Sequence, residues 1–557
     1  MVGDAVTLLR AWFLCCTAAL VLTGAAPPPA IGRQGMVAAD HVLASEAGAG
    51  VMQAGGNAVD GIVAAALAAG VVQPAGSGLG GGGFAVVVTP DGAQTVIDFR
   101  EVAPAAATQD MFVKAEADTA SRIGGLAVGV PGEAVGLAEL HRRYGRLPWA
   151  DVVAPAAKLA REGFPVGAHL AQALWEAEGA APDLSRGLFG LDVVPVQGAT
   201  VRRTQLAQTL TALGEKGTPA LTEGVLASDL AQAIQAQGGI VTQADLATYA
   251  PRERTPVVGR YRGWTVVTMP PPSSGGVVLL QVLAAMEAGD LPEAHGADLF
   301  HRLAEAMKHA YADRARYMGD PDRVKVPVER LLSQSRIDAI RSDFDPSKTF
   351  PADHYGTPVD AGEDGGTQHI SALDADGLAV ALTTTINTSF GSRVIALGSG
   401  ILLNNEMDDF VARPGVPNHY GLVGSAANAV APGARPLSSM TPTVLISPDG
   451  SERIVVGASG GPFIISSTLQ VIMNIVDFGM DPAEAVSAPR MHHQWAPNTL
   501  FVDSGTSPDT IARLQSLGHT VVVKDFFSAV QVIRGGAGGF LGASDPRKGG
   551  WPAGVQQ

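Results

Sequence analysis

Three times along this chain an Asp-Gly step separates two strand-like apolar runs. Residues 84–88 and 95–99 flank Pro90-Asp91-Gly92, and 369–373 and 378–384 flank Asp374-Ala375-Asp376-Gly377. Residues 443–446 and 453–456 flank Pro448-Asp449-Gly450 in the same way. Asp-Gly tolerates the left-handed backbone of a tight hairpin, so each pair predicts two antiparallel strands. Apolar helical segments run between them, at 57–69, 131–144, 149–162, 206–213, 227–237 and 297–317. Hairpins interleaved with such helices predict an α+β sandwich, its helices covering a two-sheet core. With 46% hydrophobic and 16% charged residues, the chain can fill one large core or two ordinary ones.

The middle hairpin is preceded by Asp364-Gly365-Gly366-Thr367-Gln368-His369-Ile370-Ser371. A threonine that opens a strand after two glycines has a particular chemical potential. Cutting the Gly366–Thr367 bond would leave a hydroxyl nucleophile and a free α-amine on one residue. Such an amine has an intrinsic pKa of about 7.7–8.0, close to the pH at which a general base works best. Threonine paired with its own amine is a known way to activate an alcohol. Residues 341–366, rich in Asp, Gly and Pro, read as an exposed, flexible connection where a break would leave its neighbours folded.

Residues 1–26 read as a secretory signal peptide: Arg10, an apolar run over 11–22, then Gly24-Ala25-Ala26 before Pro27-Pro28-Pro29. The run is too short for a comfortable membrane span, so no stable span is expected and the location is periplasmic or secreted. Cys15 and Cys16 are the chain's two cysteines, so the mature protein is expected to lack disulfides and thiol chemistry. A formal net charge of −15 with no lysine- or arginine-rich run argues against nucleic acid as a partner.

Other motifs divide into structural and chemical ones. Gly76-Ser77-Gly78-Leu79-Gly80-Gly81 satisfies a dinucleotide fingerprint, but a helix precedes it and a strand follows. Phosphate binding needs the opposite order, so the run reads as a turn that lets backbones approach. Asp477-Phe478-Gly479 lacks every companion kinase motif. His492-His493 read as structural, because neighbours on a strand face opposite ways. Arg100, in Asp98-Phe99-Arg100-Glu101, reads either as a salt bridge within the protein or as a guanidinium fork for a substrate carboxylate. The acidic run 402–410 reads either as a solvated loop or as carboxylates converging on an ammonium group. Ser438-Ser439 offer two hydroxyls, and Ser459-Gly460-Gly461 offers consecutive N–H groups suited to an oxyanion.

Taken together, these segments resemble the γ-glutamyltranspeptidases of the N-terminal-nucleophile hydrolase superfamily. The likeness spans about Gly35 to Arg547 and keeps the family's order. It includes Leu79-Gly80-Gly81-Gly82-Gly83-Phe84, Asp98-Phe99-Arg100-Glu101, the turn over 270–276 and Tyr311-Ala312-Asp313-Arg314. After Thr367 come Asn404-Asn405-Glu406-Met407-Asp408-Asp409-Phe410, Arg435-Pro436-Leu437-Ser438-Ser439-Met440 and Ala543-Ser544-Asp545-Pro546-Arg547.

The resemblance implies a four-layer αββα sandwich, two stacked antiparallel sheets flanked by helices. It implies a precursor that cuts itself between Gly366 and Thr367, giving a large subunit (27–366) and a small one (367–557) intertwined in one domain. Thr367 would attack glutathione or another γ-glutamyl donor, with Thr385 orienting it and Gly460 and Gly461 forming the oxyanion hole. Arg100, Ser438 and Ser439 would hold the donor's α-carboxylate, and Asn387, Glu406 and Asp409 its α-amino group. Water, an amino acid or a peptide amine would accept the γ-glutamyl group, with no cofactor and no metal. Residues 414–421 resemble a lid loop gated by Tyr420. Glu406 stands where some bacterial members have glutamine, and Pro462-Phe463 where several relatives have a serine and an arginine. Two competing readings are a glutaryl or cephalosporin acylase of the same superfamily and a non-catalytic amino-acid-binding protein.

Overall fold

The strand that opens at Thr367 lies inside a seven-stranded sheet, in a computed structural model that describes residues 28–356, 366–411, 418–419, 422, 424–525 and 528–556. The signal segment, the end of the linker and Tyr420 lie outside these residues. In that sheet the order is Ala553–Val555, Gly35–Ala39, Thr367–Asp374, Ala379–Thr385, Gly82–Val88, Gln94–Asp98 and Arg252–Arg254. The second sheet runs Ala30–Gly32, Gly539–Ser544, Ala529–Gly536, Glu452–Ser459, Thr443–Ile446, Trp264–Thr268 and Val257–Tyr261. Every pairing within both sheets is antiparallel, and each of the three Asp-Gly hairpins forms. Both sheets contain strands from either side of the Gly366–Thr367 junction.

Side-chain alternation divides the core into layers. Met36, Ala38, Phe84 and Val86 face the other sheet's Val267, Val444, Val455 and Ile533. Their neighbours Val37, Ala39, Ala85 and Val87 pack instead beneath the helices Val42–Gln53, Ala58–Val72 and Trp149–Glu162. The helices Gly275–Met286, Ala297–Tyr317 and Phe463–Val476 belong to the core on the second sheet's side. This is the four-layer αββα arrangement expected. All fifteen residues of Ala58–Val72 are buried, and a capping box between Asn57 and Asp60 starts the helix.

Burial of each Val or Leu side chain contributes about 1.5–3 kcal/mol, but buried polar groups contribute only when bonded. The strand Thr367–Asp374 is buried at all eight positions, and its polar side chains are accordingly paired. Ser371 Oγ donates to Val455 O (3.1 Å), which leaves it to accept from His369 Nε2 (3.1 Å). His369 Nδ1 then accepts from Thr383 Oγ1 at 2.8 Å. Gly457 in the facing sheet makes room for that imidazole, since any Cβ there would collide with the ring.

The linker departs from expectation over its described part. Rather than hanging free, it is hydrogen-bonded to the body at several points. Thr349 N donates to Leu517 O (2.8 Å) and Trp495 Nε1 to Ala352 O (2.8 Å). Glu305 accepts from Thr349 Oγ1 at 2.6 Å and from Lys308 at 2.8 Å. Distant side chains satisfy this backbone, which local composition does not reveal.

Candidate active site

Register brings the first pair of site residues together. Thr367 and Thr385 are Cα partners across the hairpin, and their hydroxyl oxygens lie 3.2 Å apart. Thr385 Oγ1 donates to the Gly366 carbonyl oxygen at 2.8 Å and accepts from Asn387 N at 2.8 Å. With the Thr385 proton committed to Gly366, Thr367 is the donor between the two threonines. Asn387 has a positive φ of 76°, a conformation asparagine tolerates better than most residues. Its side chain donates to Asn405 O at 3.0 Å, which fixes the turn after the strand.

The glycines ahead of the neighbouring strand serve close approach, as expected. A Cβ on Gly80 would strike Leu402 O, and one on Gly81 would strike Thr385 O. Helix, loop and strand follow in that order, so the run does not build a phosphate site.

Thr367 opens onto a small cavity lined by Arg100, Thr385, Asn387, Glu406, Asp409, Ser438, Ser439 and Gly461. Leu422, Met440 and Ile464 supply an apolar wall that the sequence reading did not identify. Gly460 adjoins the cavity as the neighbour of Gly461. Both glycines have positive φ, 122° and 54°, at the turn between the strand Glu452–Ser459 and the helix Phe463–Val476. Their N–H groups therefore sit at a helix N-terminus, where the backbone dipoles favour negative charge. Tyr311 Oη pins this turn by donating to Pro462 O at 2.7 Å. Phe463 itself packs on His492, with ring centroids 4.1 Å apart, and does not line the cavity.

Charge is concentrated at the opposite wall. Arg100 is 1% exposed; its Nη2 lies 2.5 Å from Asp409 Oδ2 and its Nη1 contacts Glu406 Oε1. The fork that the sequence assigns to a ligand carboxylate is thus also paired with the protein's own acids. Burial opposes the Arg100 cation, but Glu406, Asp409 and Glu101 outweigh it and hold its pKa above the ordinary arginine value. Burial pushes Glu101 up to about 7 and Glu406 well above the usual carboxyl range. Glu101 and Glu406 interact directly. Neither oxygen of either carboxyl has a well-aligned hydrogen-bond donor among the described residues.

The acidic run is a built element, not a solvated loop. Asn404 donates to Gly80 O (2.7 Å) and Gly129 O (2.9 Å) and accepts from Gly129 N and Glu406 N. Asp408 turns away to accept from Ser121 Oγ at 2.6 Å, leaving Glu406 and Asp409 facing the cavity. Of the expected lid loop, Asn418 donates to Asp409 Oδ1 at 3.0 Å and His419 N to Asp408 at 2.8 Å. Ser439 Oγ is buried without a partner among the described residues, while Ser438 Oγ accepts from Met440 N at 3.0 Å. The turn over 270–276 holds this serine loop: Ser274 Oγ donates to Ser438 O (2.8 Å) and receives Arg314 Nε at 3.0 Å.

One further group touches the strand Thr367–Asp374 and was not singled out from the sequence. Lys548 Nζ donates to Thr367 O at 2.6 Å, to Ser459 Oγ at 3.0 Å and to Asp40 Oδ2 at 2.7 Å. Apart from the cavity, His301, Glu305 and His519 bring possible ligand atoms within 4.8 Å of one another. They are engaged otherwise: the imidazoles bond each other at 2.7 Å and Glu305 is paired with Lys308.

The Gamma-glutamyltranspeptidase family model matches residues 44–555 of this chain. A glutathione hydrolase proenzyme of Escherichia coli (strain K12) is 44% identical over 535 residues, 93% of this chain and 91% of the relative. One from Pseudomonas sp. (strain A14) is 40% identical and covers 94% of each chain. Among solved structures, cephalosporin acylase from Bacillus halodurans superposes with a TM-score of 0.85 at 28% identity, covering 96% of this chain and 98% of that one. Helicobacter pylori γ-glutamyltranspeptidase gives 0.54 at 38% identity, covering 56% of this chain and 92% of that one.

Proposed function

This chain belongs to the γ-glutamyltranspeptidase family and is an enzyme of that family, and we propose that Thr367 acts as its nucleophile once the bond to Gly366 is cut. The chain is a glutathione hydrolase and γ-glutamyltransferase. The observation that carries the residue assignment is the cavity itself: one wall holds Thr367 and Thr385, and the other holds Arg100, Glu406, Asp409 and two serines.

In the precursor, the Thr367 hydroxyl adds to the Gly366 carbonyl carbon, and Thr385 steadies the oxygen it already contacts. The peptide C–N bond breaks, leaving an ester that water hydrolyses. The freed Thr367 amine then serves as base. A γ-glutamyl donor lays its α-carboxylate against Arg100, Ser438 and Ser439, and its α-ammonium against Asn387, Glu406 and Asp409. Opposite charges fix the head group, so the γ-carbonyl is delivered to the Thr367 hydroxyl. The amine takes the hydroxyl proton as the C–O bond forms, and Gly460 and Gly461 N–H groups stabilise the oxyanion. The amine returns the proton to the leaving nitrogen, giving a γ-glutamyl ester. Water resolves it by hydrolysis; an amino-acid or peptide amine resolves it by transfer. Tyr420 belongs to the loop we assign as lid, which would limit water access.

We place the mature protein in the periplasm or outside the cell, on the signal-like residues 1–26. Among the described residues no helix is long and apolar enough to cross a membrane.

The acylase reading rests on the likeness to cephalosporin acylase. A glutaryl side chain lacks an α-ammonium, whereas two carboxylates face this cavity. Turnover of γ-glutamyl p-nitroanilide against its glutaryl counterpart decides between them. A preference for the γ-glutamyl compound is expected, and a preference for glutaryl would overturn the assignment of the acidic wall.

A further inference from the structure

Lys548 is the cation nearest the reacting residue that the mechanism above leaves unused. It follows the Ala543-Ser544-Asp545-Pro546-Arg547 segment, whose buried Asp545–Arg490 pair (2.6 Å) anchors it beside the second sheet. Its side chain is 11% exposed. It joins three parts of the site: the Thr367 carbonyl, Ser459 just before the glycine pair, and Asp40 at the end of the strand beside Thr367.

We propose that Lys548 is a positioning residue that sets the proton affinity of the Thr367 amine. This rests on the reading that Thr367 becomes a chain end. The ammonium bonds the carbonyl of the residue that carries the amine, so only the Thr367 Cα and carbonyl separate the amine from a held positive charge. A like charge within about 4–6 Å disfavours the protonated amine. The amine is therefore neutral, and able to take the hydroxyl proton, at a lower pH than a free chain end would allow.

The surroundings support a retained cation at this point. Asp40 is fully buried, accepts from Gln531 and faces Lys548. Burial raises the Asp40 carboxyl while Lys548 pulls it back. His169 on the helix Ala168–Glu178 has an exposed side chain and lies near enough to Lys548 for like charges to repel. His41 is itself lowered to about 4 by burial. Asp40 and Lys548 are the charged groups held against the Thr367 backbone, Arg100, Glu406 and Asp409 face it across the cavity, and His169 stands on the solvent side.

The test is the acid limb of kcat/KM for γ-glutamyl p-nitroanilide in four proteins. Donor and cavity carboxylates are common to all of them, so differences between proteins isolate the amine. Lys548→Gln is expected to move the limb up by about one pH unit, and Lys548→Arg to leave it in place. Asp40→Asn removes the counter-charge and is expected to move it down. A lysine that only braces the C-terminal segment would change kcat or KM equally at all pH values. Unmoved limbs in Lys548→Gln and Asp40→Asn would overturn the proposal. If Lys548→Gln stays uncut, Asp40→Asn against Lys548→Arg decides alone by the same criterion. Mass analysis of the wild-type protein separates the two levels: no chain beginning at Thr367 defeats the parent reading, whereas a cut enzyme with unmoved limbs defeats only this one.

Discussion

Thr385 Oγ1 stands between two atoms of the same junction, 3.2 Å from the Thr367 hydroxyl and 2.8 Å from the Gly366 carbonyl oxygen. One hydroxyl therefore contacts the attacking group of the precursor and the oxygen that becomes negative when it attacks. Thr385→Ala is expected to slow self-cleavage by about 10²-fold, the usual effect of removing one such donor, and, in whatever fraction is cut, to lower kcat through a misoriented Thr367 hydroxyl. Thr385→Ser should restore both. Densitometry of cut and uncut chains over time, with turnover normalised to cut enzyme, checks this. Normal cutting in Thr385→Ala would sink the role given to this residue.

The acidic wall predicts a proton-linked donor site. Three carboxylates face one guanidinium, and burial raises Glu101 to about 7 and Glu406 well above the usual carboxyl range. The empty site thus holds a proton between them near neutral pH. An incoming ammonium favours the ionised forms, so binding expels that proton and affinity rises as pH increases through about 7. Calorimetry of L-glutamate binding in two buffers of different ionisation heat should show proton release. Glu406→Gln should remove most of it. A heat independent of buffer would contradict this account.

Asp545 is fully buried and paired with Arg490, itself fully buried. Asp545→Ala leaves that cation uncompensated and should cost about 3–5 kcal/mol, the range for breaking a buried pair from one side. Denaturant unfolding of the purified protein measures it. A loss below about 1 kcal/mol would mean that the pair is not needed.

Gly81 has no special φ, yet no side chain fits there, because a Cβ would meet Thr385 O. Gly81→Ala is expected to cost about 1–3 kcal/mol as overpacking and to displace Thr385, so cutting and turnover should fall together. Unchanged cutting with only a lowered melting point would separate the packing role from the site.

What the sequence made legible was local. Asp-Gly steps marked the hairpins because they act over a few residues, and the hairpin at Asp376-Gly377 in turn fixes the Thr367–Thr385 register. The two helices bounded Trp149–Glu162 and Ala297–Tyr317 were legible to the residue. The charged wall was different: Arg100 meets Asp409 across 309 positions, and only the family likeness brought them onto one list. Nothing marked Lys548, whose contact with Thr367 O spans 181 positions and depends on how the two sheets stack. The docked linker was hidden for the same reason. Its polarity was visible, whereas the partners that satisfy it come from helices and loops elsewhere in the chain.

The measurement that bears most directly on the central claim is intact mass analysis of the active protein beside Thr367→Ala. The account predicts two chains for the active protein, one beginning Thr367-Gln368-His369, and a single uncut chain without turnover for the variant. An active protein with no chain starting at Thr367, or a variant that still splits there, would contradict it.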